Sequence, residues 1–451
     1  MAIWVIARRA RITVWICLAC VLAACAGVAT FSSTSQNQAS PQPGLHGSST
    51  SSLQFMVSGS GALLEAYEAV VSIYQQRHPD RGVDLVGIPD EADFQKRLAA
   101  DLAAGRPADV IVESYTNIPG LASRGLLAPV AADLAASQVL KLADFAAGSL
   151  APLIFNRQLQ CVPLSAAGLV VYYNHALFQA ASLPDPGNRW TRQEFLADAQ
   201  RLTRDTDGDG RMDQYGLGIQ PSLTNLAPFI LQLKGPLVDL EPWPSELSLG
   251  TPMALTATTW LVSLQNEFHV VPSEQDELAA SSLQRFMDGS LAMLAGTRAL
   301  VPELRQVGRL NWDVAPLPAD NTSTSNIIVE DGLCMTAAAT NKTAAWQFIE
   351  FAASPEGQAL VAKSGAIVPA LSAVAASPVF LDPALRPAHS QLFSAALAHA
   401  LALPKLENWS DIQAIVDEEL GQAFYGHKSV AQALNSATLR SEEYFKIHTA
   451  H

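Results

Sequence analysis

Three runs decide the fold: Leu53-Gln-Phe-Met-Val57, Val83-Asp-Leu-Val-Gly-Ile88 and Asp109-Val-Ile-Val112. Each is short and rich in apolar side chains, the pattern of a strand. Two stretches with helical spacing lie between them. From Leu63 to Gln76, the residues Leu63, Tyr67, Val70, Val71 and Tyr74 share one face. From Glu91 to Ala104, Phe94, Leu98 and Leu102 do the same. A strand–helix–strand–helix–strand order requires parallel strands joined by helical crossovers, hence an α/β fold. Ligands in such sheets gather at the carboxyl ends of the strands. Ser58, Asp90, Glu113, Ser114, Tyr115 and Asn117 stand at those ends and are candidate ligand contacts.

Upstream of the first strand the chain reads as an address. Arg8, Arg9 and Arg11 precede an uncharged run from Ile12 to Ala24, too short to span a bilayer and suited to a secretory signal. The run ends Leu22-Ala-Ala-Cys25, which resembles a bacterial lipobox. Residues 1–24 are expected to be a lipoprotein signal peptide, with Cys25 carrying the lipid. Two acyl chains give stable anchoring where one does not. Residues 25–52 are Ser, Gln, Pro and Gly with little to bury, a flexible tether reaching about 30 Å. Beyond it no segment has the length and flanks of a membrane span.

The whole chain has 451 residues, 28 Lys+Arg against 42 Asp+Glu, and a net charge of −14. That length calls for more than one core. An apolar share of 49% excludes a disordered chain, and the acidic balance excludes a basic nucleic-acid binder. Five cysteines are too few for a disulfide scaffold.

Further along, a series of fragments occurs in order. Pro107-Ala-Asp-Val-Ile-Val112 is followed by Leu121-Ala-Ser-Arg-Gly-Leu-Leu-Ala-Pro129. Tyr173-Asn-His-Ala-Leu-Phe178, Leu183-Pro-Asp-Pro186 and Trp190-Thr-Arg-Gln-Glu-Phe195 come next. Phe286-Met-Asp-Gly289, Ala292-Met-Leu-Ala-Gly296 and Trp312-Asp-Val-Ala-Pro-Leu-Pro318 continue the series. It closes with Ala344-Ala-Trp-Gln-Phe-Ile-Glu-Phe351, Ser354-Pro-Glu-Gly-Gln358 and Val368-Pro369. Together they resemble the extracellular solute-binding proteins of carbohydrate ABC transporters, a family of maltose-binding-protein-like chains.

The resemblance implies a two-lobed periplasmic-binding-protein fold with hinge crossovers and a ligand cleft between the lobes. Residues 53–165 and 315–365 would form the first lobe, and 170–310 with 366–451 the second. Cys161 and Cys334 would flank hinge strands that run together in the family, either as a disulfide or as two buried thiols. Trp409 falls where the family places a ligand-facing segment before a helix. Arg298 stands where sugar-binding relatives usually carry tryptophan, and Glu330-Asp331-Gly332 replaces a Gly-rich turn. In the cleft, Arg298 would bind sugar hydroxyls or an anion such as a glycerol phosphate; otherwise it would pair with Glu330 or Asp331.

Sugar recognition uses aromatic faces and planar polar groups. Tyr115, Trp243, Trp260 and Trp409 are the aromatic candidates. Trp243 lies in Glu241-Pro-Trp-Pro244, a loop with little core to fill, whereas Trp260 and Trp346 sit inside apolar helical patterns. The segment Asp205-Thr-Asp-Gly-Asp-Gly-Arg-Met-Asp213 matches the start of a calcium loop, with carboxylates at Asp205, Asp207, Asp209 and Asp213. Arg211 could give only its backbone carbonyl, and Gly216 stands where the bidentate glutamate belongs. The alternatives are structural Ca²⁺ and an acidic surface turn; no other cofactor is required. Ser58-Gly-Ser-Gly61 is out of register for a nucleophile elbow, and phosphate-loop, His-Glu-x-x-His and Cys-x-x-Cys motifs are missing, so an enzyme is not expected.

The expected protein is therefore a monomeric, lipid-anchored extracytoplasmic binder, in a periplasm or at a cell surface. Its partners would be a carbohydrate, ABC permease subunits and the membrane, without nucleic acid. An extracellular ligand-sensing subunit is the alternative from another class.

Overall fold

The computed structural model describes residues 52–59, 61–239, 244–320 and 325–445. The expected signal peptide, Cys25 and Trp243 lie outside the described residues. The opening elements follow the sequence pattern closely. Strand β1 (Leu53–Ser58), helix α1 (Gly61–Arg77), β2 (Val83–Ile88), α2 (Glu91–Ala103) and β3 (Val110–Ser114) alternate as expected. The α2 amino terminus is capped by Asp90, whose side chain accepts from the Asp93 amide, and Glu91 and Asp93 sit at the positive end of the helix dipole. Helix α1 turns Tyr67, Val70, Val71 and Tyr74 inward, where the Tyr67 and Phe348 rings pack edge-on against Phe55. Short segments α3 (Ile118–Ser123) and β4 (Leu127–Ala128) complete this part.

The chain then runs through β5 (Cys161–Ala167) into β6 (Val170–Asn174), both buried along their length. After β6 come α4 (Arg192–Leu202), β7 (Tyr215–Gly218), α5 (Leu223–Gln232), α6 (Pro252–Asn266), β8 (Leu291–Gly296) and β9 (Trp312–Pro316). Strand β10 (Val329–Thr336), α7 (Lys342–Ala352) and α8 (Pro355–Ala362) follow, and α9 (Trp409–Phe424) and α10 (Val430–Phe445) close the described chain. Among the described residues no helix is long and apolar enough to cross a membrane.

Two sheets result. The first has the order β2-β1-β3-β10-β4, with β5 also paired to β10. Its β1, β2 and β3 are parallel, while β10 runs antiparallel to β3 and β5. The second sheet has the order β9-β6-β8-β7. The residues expected near 315 to re-enter the first lobe instead pair with β6 over Trp312–Pro316, and the return to the first sheet begins with β10.

Three passages connect the two sheets. β5 leads directly into β6, and β9 leads back to β10 by way of Asn326-Ile327, which pairs with Ala400-Leu401. The third passage lies against β5: the Ala166 amide donates to Val368 O at 3.0 Å, and Ala370 N donates to Leu164 O at 3.1 Å. Cys161 and Cys334 face each other across β5 and β10 and are joined by a disulfide. Gly332 belongs to this close approach, since a Cβ there would come within 2.8 Å of the Cys161 Cβ.

Helices α9 and α10 pack together against α6. Buried Glu419 locks the pair, accepting from Lys428 Nζ at 2.6 Å, Ser436 Oγ at 2.7 Å and Arg440 Nη1 at 2.7 Å. A buried carboxylate is tolerated when it is paired and bonded in this way.

Candidate functional site

The carboxyl ends of β1, β2 and β3 come to one edge of the first sheet, since Ser58 pairs with Ile88 and β3 lies beside β1. β10 brings Asp331 to the same edge, directly opposite Ser114. A chain of hydrogen bonds runs along this edge. Ser58 Oγ donates to Glu91 Oε2 at 2.5 Å, and Gln95 Nε2 donates to Glu91 Oε1 at 2.9 Å and to Glu113 Oε1 at 3.0 Å. Asn117 Nδ2 and the Ser114 amide both donate to Glu113 Oε1, at 2.9 and 3.0 Å. Ser114 and Thr116 hydroxyls lie 3.0 Å apart. Ser165 Oγ reaches Asp331 Oδ2 at 3.0 Å. Ser58, Glu113, Ser114, Asn117 and Asp331 are thus gathered at one edge, with Asp90 in place as the α2 cap.

Burial dominates the electrostatics here. It pushes the Glu113 carboxyl up to about 7, against the opposing hydrogen bonds from Asn117 and Gln95. Burial likewise raises Asp331, and it holds Glu330 well above the usual carboxylate range with the Asp331 charge adding to the effect. Both carboxylate oxygens of Glu330 are buried without a hydrogen-bond partner.

Tyr115 does not offer an open ring face. It is buried in the first core, and its hydroxyl accepts from the Leu403 amide at 3.1 Å. Trp409 is fully buried as well, with its Nε1 unpartnered. Trp260 packs against Phe229 and Phe195 with Arg192 over its ring, the core position its helical pattern indicated.

Arg298 needs correction. It is 2% exposed and buried in the second core, its guanidinium over the rings of Phe380 at 4.7 Å and Phe393 at 5.0 Å. Nε donates to Gly365 O at 2.8 Å and Nη1 to Ser390 Oγ at 2.9 Å. Burial pulls its pKa down to about 10. Neither Glu330 nor Asp331 pairs with it. A side chain so enclosed cannot meet a solute, and the anionic reading loses the residue that suggested it.

The second sheet contributes residues that sequence reasoning missed. At the carboxyl ends of β7 and β8 lies a depression of about 550 Å³, lined by Gln220, Ser222, Asn225, Gly296, Thr297, Gln413 and Asp417 among others. The rule applied to the first three strands would have found Gln220 and Thr297, had β7 and β8 been read as strands. Gln413 and Asp417 sit one and two turns beyond Trp409 on α9. Asp417 accepts from the Leu223 amide at 2.6 Å, and burial raises its pKa to about 6. A second depression, about 260 Å³, is bordered by Gln95, Asn117, Gly120 and Arg124 on one side and Asn408, Ser410 and Asp411 on the other. Helix α9 therefore borders both. The contact is close, since a Cβ at Gly120 would meet Glu407 O at 2.5 Å. A cavity of about 380 Å³ at the opposite edge of the first sheet, beside Ser52, Arg81 and Asn341, holds none of the expected residues.

In the 205–213 turn, carboxylate oxygens of Asp205, Asp207 and Asp209 lie within 4.8 Å of one another. The turn is also held by its own amides. Gly208 N and Gly210 N donate to Asp205, Arg211 N donates to Asp209, and Asp213 accepts from Thr206. Gly216 lies in β7 and supplies no side-chain ligand.

Comparison with known proteins places this geometry. A binding protein of Brucella abortus is 21% identical over 383 residues, spanning 84% of this chain and 90% of its own. Among solved structures, an ABC substrate-binding protein of Listeria monocytogenes in complex with cycloalternan superimposes with a TM-score of 0.79. It is 19% identical, with 88% of this chain and 98% of that chain covered. A Thermotoga lettingae solute-binding protein bound with α-D-tagatose gives a TM-score of 0.75 at 18% identity, over 87% and 99% of the two chains. Maltose-bound MalE3 of T. maritima gives 0.73 at 18% identity, over 88% and 99%. The fold is that of the two-lobed periplasmic solute-binding proteins, which bind and do not catalyse. Residues 69–388 match the description "bacterial extracellular solute-binding protein", and the chain belongs to that family.

Proposed function

We propose that this chain is the lipid-anchored, extracytoplasmic capture component of an ABC importer, and that its solute is a carbohydrate. The observation that carries the reading is the chemistry of the two strand-end regions. The first sheet offers carboxylates, amides and hydroxyls, and the second offers Gln220, Ser222, Asn225, Thr297 and Gln413. Such groups suit a solute covered in hydroxyls, each able to donate and accept. The sugar complexes among the structural relatives support the same reading.

Capture then follows from differential affinity. A solute that touches both lobes makes more contacts when they approach, and this extra binding shifts the population to the closed form. The closed form docks on the permease. Cys25, with two acyl chains, keeps the body within reach of the membrane. We propose further that the 205–213 turn takes Ca²⁺ as a structural ion, because three carboxylates gathered so closely repel one another without a cation.

The test is a thermal-shift screen of the chain from Ala26 onward against mono- and oligosaccharides. A sugar at one hundred times its dissociation constant adds about 2.7 kcal/mol, or about 3 °C for a chain of this size. A stoichiometric shift supports the reading; no shift with any sugar, or turnover of a glycan, removes it. Sugar uptake by a strain lacking the gene separates import from sensing.

A further inference from the structure

Six side-chain amides line the two strand-end depressions: Gln220, Asn225 and Gln413 the larger, and Gln95, Asn117 and Asn408 the smaller. An amide carries an NH₂ that donates and a carbonyl that accepts, so its protein neighbours decide which of the two a solute meets. In five of the six the neighbours take the NH₂. Gln95 Nε2 donates to Glu91 and Glu113, and Asn117 Nδ2 donates to Glu113. Asn225 Nδ2 donates to Gln220 O at 3.0 Å, and Asn408 Nδ2 to Tyr444 O at 3.4 Å. Gln413 Nε2 donates to Thr224 Oγ1 at 3.2 Å, and Gln413 also hydrogen-bonds the Asp417 carboxylate.

Ionised carboxylates and backbone carbonyls accept and never donate, so turning one of these amides over would set oxygen against oxygen. All five residues are partly exposed, and none of their carbonyl oxygens accepts a hydrogen bond from another described residue. The carbonyls are therefore the amide groups left for a solute. The larger depression adds the carboxylates of Asp417 and Glu277, and no Lys, Arg or His lines it. Arg124 borders the smaller one, with its Nε committed to Gly120 O at 2.7 Å. Both depressions thus ask the solute for protons. A hydroxyl supplies one; a carboxylate, a phosphate or a fluorine supplies none and brings electron density against these oxygens.

We infer that the captured carbohydrate is a neutral sugar recognised through the protons of its free hydroxyls, with the Gln413 carbonyl and Asp417 as specificity-determining acceptors, and that acidic sugars are rejected. The inference rests on the carbohydrate reading above and narrows it.

The experiment is calorimetry on the folded chain from Ala26 onward at pH 8. That lies above the values of about 7 and about 6 to which burial raises Glu113 and Asp417, so both carboxyls are ionised. Glucose, galactose, mannose, maltose and cellobiose are compared with their monodeoxyfluoro counterparts, in which fluorine replaces one hydroxyl and cannot donate. Glucuronate, galacturonate and mannuronate are the acidic members. The neutral sugar that binds is expected to lose tenfold or more in affinity when fluorine stands at a hydroxyl read by the site, and uronates are expected to bind at least tenfold more weakly. Asp417→Asn keeps an acceptor for the Leu223 amide but can also donate, and Gln413→Met removes the carbonyl at similar length. Each is expected to bring the fluorine penalty at one position below threefold while the thermal midpoint without sugar is kept. A uronate that binds as tightly as its neutral sugar overturns the inference and leaves the carbohydrate reading standing. So do fluorinated forms that all bind within threefold of the parent sugar, and so does a fluorine penalty unchanged in both variants. Binding of nothing in the panel overturns the inference together with the reading beneath it.

Discussion

Cys161 and Cys334 are bonded across β5 and β10, the two strands that carry the chain between its sheets. The bond closes a loop with a sequence separation of 173 residues. Tying so long a loop restricts the unfolded chain, so removing the bond as Cys161→Ala/Cys334→Ala is expected to cost about 2–5 kcal/mol. Denaturant midpoints with and without reductant check this. Equal midpoints would mean that the β5–β10 pairing holds these strands unaided.

Arg298 is expected to matter for folding and not for solute binding. Arg298→Met removes two buried hydrogen bonds and stacking on two rings, a loss of about 2–4 kcal/mol. Its midpoint should fall while the affinity of the folded fraction for solute stays within threefold. A preserved midpoint with lost affinity would return Arg298 to the site.

Trp409 is expected to act through packing. Trp409→Phe keeps most of the buried ring and removes the unpartnered Nε1–H, so little change in midpoint is expected and the affinity of the folded protein for solute should stay within twofold. Trp409→Ala should instead lose about 3–5 kcal/mol of stability. A fall in affinity for the phenylalanine variant without a fall in midpoint would bring the indole N–H back into the site.

Glu113 should leave a signature in the pH dependence of stability. Its folded pKa of about 7 stands above the ordinary 4.5, because burial favours the neutral form. The contribution is therefore full below pH 4.5 and is lost as pH rises through 7. Compared with Glu113→Gln, the parent is expected to lose about 3 kcal/mol across that window. Denaturant titrations of both proteins at pH 4.5, 6 and 8 measure the difference. A constant offset between them would mean that Glu113 is charged throughout.

The 205–213 turn is tested by the ion itself. Millimolar Ca²⁺ is expected to raise the midpoint over that in chelator, and Asp205→Asn or Asp209→Asn should abolish the rise without altering sugar affinity. A midpoint indifferent to Ca²⁺ assigns the turn to its own backbone hydrogen bonds.

The first sheet was legible because its signals are local. Apolar runs, helical spacing and the Asp90 cap all act within a few residues, and strand polarity then places Ser58, Glu113 and Asn117 at one edge. Arg298 was not legible. Its partners Gly365, Phe380, Ser390 and Phe393 lie far along the chain, and nothing beside Arg298 in sequence announces them. Trp409 shows a different limit, since a tryptophan buried in a core and one waiting for a ligand share the same apolar neighbours in sequence. Gln413 and Asp417 escaped because they look like the solvent face of α9 until α5 packs beside it.

The third passage between the sheets carries a mechanical consequence. Val368 and Ala370 bond to β5 on the same stretch where β5 pairs with β10, so three segments lie side by side. These bonds hold the crossing segments to one another on the first sheet, and between the end of β5 at Ala167 and the start of β6 at Val170 stand only Gly168 and Leu169. A turn of one sheet relative to the other would concentrate its backbone torsion in that short link. On the proposed capture reading, the angle taken up there would govern the width of the entrance.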